Sequence, residues 1–216
     1  RNTGPAIAAA AAWVAARVPD AILAVLAADH HIPDDEAFRD ALARTFEAAA
    51  DGRIVTLGLR PTWASQALGY IQAGEGPEAV KPIAAFDEKP DAEGATTLVA
   101  AGALWNSGTF VGRAAVLTSE IERWAPAVAV AAKAAVRDAE PRDGAVWLGP
   151  GFADAPRIAF DHAVMERTDR GAVLPSDFAW SDLGAWDAVL AVAAADADGN
   201  VLQGAATASA SRQVLV

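Results

Sequence analysis

At 216 residues, 53% hydrophobic and 21% charged, the chain can bury one large core and has a globular rather than a disordered composition. Its net charge of −11 argues against a nucleic-acid partner, and no apolar run approaches the roughly 20 residues that span a bilayer. The absence of cysteine excludes disulfides, thiol nucleophiles and cysteine-ligated zinc, and with no basic, cleavable leader pattern a cytoplasmic location is expected.

Residues 5–18, PAIAAAAAWVAARV, read as a helix, with Asn2 or Thr3 as N-cap and Pro5 in the first turn. AILAVLAAD (21–29) is a continuous apolar run ending in Asp29, the pattern of a buried parallel strand. PDDEAFRDALARTFEAAADG (33–52) is an amphipathic helix with an acidic first turn, and RIVTLGLRP (53–61) is a second short strand. This alternation predicts an α/β layered fold. ALGYIQAGE (67–75) and KPIAAFDEKP (81–90) read as strands, DAEGATTLVAAG (91–102) as a helix and ALWNSGTFVGRA (103–114) as a strand. Two helices follow over 114–126 and 127–139, then a looser segment through LGPGFADAP (148–156). FDHAVMERT (160–168) reads as a helix, GAVLPSDFAW (171–180) as a strand and GAWDAVLAVAA (184–194) as a helix. DADGNVLQG (196–204) turns into an extended tail, and no domain boundary is evident before about residue 196.

Candidate chemistry lies at strand ends, where open α/β sheets bind their ligands. Asp29 ends one apolar run and Asp182 follows another, in WSDLGAW, with a tryptophan on either side. Each has two readings: a cap on the following helix, or one of a pair of carboxylates that together hold a hard cation. In the capping reading, Asp29 or Asp34 would cap the first of these helices and Ser181 or Asp182 the second. The His30–His31 pair points to opposite sides of an extended chain and is weak evidence for a metal site. In FDEKP, Glu88 and Lys89 form either a solvated turn pair or a carboxylate for a hydroxyl-bearing ligand beside an ammonium for its phosphate. In WNSG, Asn106 offers an amide next to an aromatic. The chain has three lysines, Lys81, Lys89 and Lys133, so cations for phosphate are few. GEG (74–76) and GPG (149–151) do not continue into a dinucleotide or P-loop fingerprint.

The phrases RNTGPAI, LAADHHI, FDEKP, LWNSGTF, FDHAVMERT and WSDLGAW, in that order, resemble the mannose-1-phosphate guanylyltransferases, also called GDP-mannose pyrophosphorylases. The resemblance covers nearly the whole chain. It implies a Rossmann-like nucleotidyltransferase fold with a mixed, mostly parallel central sheet flanked by helices. It also implies GTP and mannose 1-phosphate as substrates and GDP-mannose and pyrophosphate as products. By motif, Asp29 and Asp182 would coordinate Mg2+. Lys89 would bind the sugar phosphate, and Glu88 and Asn106 the sugar, with Gly69 and Tyr70 lining its pocket. Asn2 and Thr3 would lie by the guanine. A homodimer is plausible for the family.

Three departures qualify these expectations. The family's glycine-rich phosphate loop and first strand precede the position matched by RNTGP. Residues 1–195 are therefore expected to form a nucleotidyltransferase core without them, and 196–216 to begin a C-terminal extended or β-helical region. Where the family shows Arg-Pro-Glu-Thr-Gly-Tyr, this chain has Trp63–Leu68, and Ala27 replaces a common proline. Two alternatives stay open: the same chemistry on another sugar or base, or a non-catalytic pyrophosphorylase-like binding or regulatory module.

Overall fold

In the computed structural model, which describes residues 1–216, helices and strands are interspersed along the chain. The elements are α1 (Thr3–Ala15), β1 (Ile22–Val25), α2 (Asp35–Ala50), β2 (Ile54–Leu59), β3 (Gly69–Ala73), β4 (Lys81–Glu88) and α3 (Ala92–Ala100). Then come β5 (Leu104–Arg113), α4 (Ala114–Trp124), α5 (Pro126–Arg137), β6 (Glu140–Arg142), β7 (Ala145–Trp147), β8 (Gly171–Ser176) and α6 (Trp186–Val192). A 3-10 turn (Pro150–Asp154) and a π-helical turn (Asp161–Met165) precede β8.

Helix starts follow their caps. Asp34, not Asp29, caps α2 by accepting the Ala37 N–H at 2.9 Å, and Asp91 caps α3 by accepting from Gly94 at 2.8 Å. The alanine-rich α1 packs against α4 and α5 through Ile7, Ala8, Ala9 and Ala11, joining Leu117, Ile121, Val128 and Phe160 in one buried cluster. Small side chains let these helices approach closely, and the cluster covers one side of the sheet.

The main sheet has the order β1-β5-β2-β8-β4-β3, and β3 also pairs with β5, so five strands close a ring. The mostly parallel sheet expected from the resemblance is not what forms. β2–β8 is the one parallel pair, and β1–β5, β2–β5, β3–β4, β3–β5 and β4–β8 are antiparallel. The β3–β4 connection, residues 74–80, is too short for a parallel crossover. β1 is likewise not a doubly buried parallel strand; it is a half-buried edge, antiparallel to β5. The segment read as loose holds the small β6–β7 hairpin and the 3-10 turn, and FDHAVM contributes only the five-residue π turn.

β5 positions the site. Along one edge it pairs with β2; along the other it takes β3 at Leu104–Trp105 and β1 at Phe110–Arg113. Between these, register against β2 breaks: Thr56 pairs with Phe110, but Gly58 pairs with Asn106. The WNSG segment is therefore a β-bulge, and Gly108 sits in it at φ +69°. Bulges re-aim side chains, and here the re-aimed one is Asn106. The 196–216 tail folds back on itself through a parallel bridge between Val201 and Leu215, with Asn200 buried.

Candidate active site

Glu88, the last residue of β4, lies opposite Gly69, the first of β3. A Cβ at Gly69 would fall 2.4 Å from a Glu88 carboxylate oxygen and 3.5 Å from the Asn106 Cβ. Gly69 is thus the space into which the Glu88 carboxylate fits, next to the bulge amide. Lys89 follows in the left-handed region (φ +51°), a strained turn for a non-glycine residue, and its Nζ lies 3.3 Å from Glu88 Oε1. The Glu88 side chain is 8% exposed and that of Lys89 60%, so the carboxylate faces inward and the ammonium faces solvent.

The amide of Asn106 is held at three points. Its Oδ1 accepts from the Thr56 hydroxyl at 2.9 Å and from the Gly108 N–H at 3.2 Å, and its Nδ2 donates to Asp161 Oδ1 at 2.7 Å. Asp161 opens the π turn and is a site residue that the sequence reading did not single out. Burial pushes its carboxyl above the usual range. Glu88 is pushed up too, first by burial and then by the charge of Asp161, and the neighbouring Lys89 only partly opposes this. His162 bonds Glu166 through Nδ1 at 2.8 Å at the rim. π turns concentrate at functional sites, and this one inserts a carboxylate behind the bulge.

The N-terminal turn docks onto the same segment. Asn2 caps α1 by accepting the Thr3 N–H at 2.8 Å, Thr3 Oγ1 accepts the Phe160 N–H at 2.9 Å, and the Gly4 N–H donates to Ile158 O at 3.0 Å. Asn2 and Thr3 are exposed, and the Thr3 bond falls on Phe160, the residue before Asp161.

Asp29 and Asp182 lie on chains that an antiparallel bridge joins: the His31 N–H donates to Ser181 O at 2.8 Å and the Ser181 N–H to His31 O at 3.0 Å. Neither is a helix cap. α6 begins at Ala185 without a side-chain cap, and Asp182 accepts from Gly184 at 3.1 Å, closing its own turn. Of its two flanking tryptophans, Trp186 is 79% exposed, while the Trp180 indole donates to His30 Nδ1 at 3.2 Å. Burial lowers the His30 pKa, against the opposing charges of Asp29 and Asp182. Both carboxylates thus lie near the same imidazole. No third His, Cys, Asp or Glu side chain completes a protein cage. Two carboxylates alone fit a hard divalent cation that takes its remaining ligands from phosphate and water.

Tyr70 does not share this face. Successive strand residues point to opposite sides, and its fully buried ring packs with Leu57, Leu98, Trp105 and Leu174. Its hydroxyl donates to Ser65 O at 2.9 Å, pinning the Trp63–Leu68 loop, where Trp63 meets Trp105 edge-on at 4.6 Å. On that side a cleft of about 300 Å³ is lined by Thr62, Trp105, Phe178 and Trp180. A cleft of about 460 Å³ beside α1 is wholly apolar and carries none of the candidate groups.

The Glu88, Asn106 and Asp161 cluster sits on and beside the strands of one mixed α/β sheet, and Asp29 and Asp182 lie apart from it on the segments joined by the His31–Ser181 bridge. The sequence model of the nucleotidyl transferase family matches residues 1–199, and the chain belongs to that family. It is 44% identical, over its whole length, to a mannose-1-phosphate guanylyltransferase of Sinorhizobium fredii, and 37% identical over 94% of its length to one of Escherichia coli. It spans 43% and 45% of those two proteins, about half the length of the curated relatives it matches. The fold is similar to a crystal structure described as a mannose-1-phosphate geranyltransferase from Thermus thermophilus (TM-score 0.81, 33% identity), covering 95% of this chain and 59% of that one. No helix is long and apolar enough to cross a membrane.

Proposed function

We propose that the chain is the catalytic core of a magnesium-dependent mannose-1-phosphate guanylyltransferase. The observation that carries this reading is the 44% identity, across the whole chain, to a protein of that name. The convergence of Glu88, Asn106 and Gly69 beside Lys89 supports it.

A phosphate oxygen of mannose 1-phosphate attacks the α-phosphorus of GTP; a new P–O bond forms as the bond to the departing pyrophosphate breaks. The protein supplies no covalent intermediate, so its work is placement and charge stabilisation. Glu88 accepts from sugar hydroxyls and Asn106 donates to one, while Lys89 swings from Glu88 to the sugar phosphate. Gly69 keeps the pocket open. Asn2 and Thr3, exposed at the docked N-terminal turn, contact the base. Asp29 and Asp182 are the residues that would hold Mg2+, which when bound offsets charge on the phosphates.

The test is pyrophosphate release with magnesium, mannose 1-phosphate and each of the four nucleoside triphosphates in turn. Turnover with GTP alone is the expected result. Turnover with another nucleoside triphosphate would keep the chemistry and move the base specificity. No turnover from folded protein would favour a non-catalytic module.

A further inference from the structure

The juxtaposition of Asp161, Asn106 and Glu88 carries one step more. We infer that Asp161 is a positioning residue that locks the Asn106 amide so that its one free N–H, paired with the Glu88 carboxylate, reads a sugar hydroxyl in a single direction. The inference rests on the sugar-phosphate reading of the site.

Both acceptor directions of Asn106 Oδ1 are taken, by the Thr56 hydroxyl and the Gly108 N–H. One Nδ2 hydrogen goes to Asp161 at 2.7 Å, so a single N–H is left to give. An amide flip would turn Oδ1 toward the Asp161 carboxylate and Nδ2 toward the Gly108 N–H, an acceptor against an acceptor and a donor against a donor. Asp161 therefore excludes the flipped amide, and a charge-assisted bond does so more strongly than a neutral one. Glu88 is held on the same face by the space at Gly69. One hydroxyl can then donate to Glu88 and accept from Asn106 at once. The other ionisable groups nearby are Lys89, at the outer side of Glu88, and His162, bonded to Glu166 at the rim. Two carboxylates inside and one ammonium outside give the pocket a hydroxyl end and a phosphate end.

Two measurements on the full chain, with Asp161→Asn and Asp161→Ala, test this. The first is the NMR spectrum of selectively labelled Asn106. Its side-chain amide is expected to move with pH in the wild type as Asp161 titrates, and to lose that titration in both variants. An Asn106 amide unaffected by either substitution, with near-UV circular dichroism unchanged, would overturn the inference. The second is steady-state kinetics. Asp161→Ala is expected to raise the KM for mannose 1-phosphate about tenfold or more, the scale of one hydrogen bond to a charged group, with the KM for GTP unchanged. Asp161→Asn, which keeps an acceptor, recovers part of that loss. Equal rises in both KM values would mark a general structural role and sink the claim. Should the wild type turn over no sugar phosphate, the proposed function fails while the amide spectrum still decides the positioning.

Discussion

Glu88 is a residue whose charge is carried against its surroundings. Burial and the Asp161 carboxylate both raise its pKa in the folded protein, so the native state binds its proton more tightly than the unfolded chain does. Stability is then lost as pH rises from the ordinary glutamate range through the raised folded value, and the deficit persists above it. Glu88→Gln removes the ionisation and relieves Asp161 as well. We expect the variant to match the wild type in denaturant midpoint near pH 4 and to exceed it at pH 7.5, while binding sugar phosphate more weakly. A variant less stable than the wild type at pH 7.5 would show that the ion pair with Lys89 outweighs desolvation. That outcome is disfavoured because Lys89 is largely exposed, where such pairs are worth little.

At the level of elements, the bulge in β5 and the π turn do the positioning, and both depend on local backbone rather than on periodicity. Gly108 makes the bulge at φ +69°, with nothing within 4 Å of where a Cβ would stand. Gly108→Ala should therefore be penalised by conformation alone, about 1 kcal/mol, and Gly108→Asn by less, since Asn tolerates the left-handed region. Chemical denaturation orders the three; equal stability of all three would remove the argument. The sequence made most elements legible because apolar runs and caps are local signals: the β2, β4 and β5 strands and the α2 helix fall where pattern put them. Strand direction is not local, and the parallel sheet expected from the resemblance became one parallel pair. Tyr70 could have been set aside from sequence alone, since it neighbours Gly69 on one strand and must face the other way. Asp161 was also within reach. It interrupts the apolar stretch Ile158–Met165 as Asp182 interrupts its tryptophans, and a carboxylate in such surroundings needs a polar partner.

At the scale of the whole molecule, the proposed function asks an acidic chain to handle phosphates, and it would do so by separating its charges. The proposed sugar end is built by β3, β4, β5 and the π turn, while the carboxylate pair comes from loops 153 residues apart, Asp29 and Asp182, joined by the His31–Ser181 bridge. Both carboxylates lie near the His30 ring, whose protonation burial opposes. Asp182→Asn should leave the fold intact, with a melting temperature close to that of the wild type in metal-free buffer. Its amide can still accept the Gly184 N–H, so the local turn survives. Added magnesium and GTP should raise the melting temperature of the wild type, because a ligand that binds only the native state stabilises it, and should do so far less in the variant. Turnover should fall by orders of magnitude in step with that lost shift. A variant that melts earlier in metal-free buffer would make Asp182 a structural residue of the turn. One that keeps both the magnesium shift and near-normal turnover would move the cation elsewhere and leave the pair without a role.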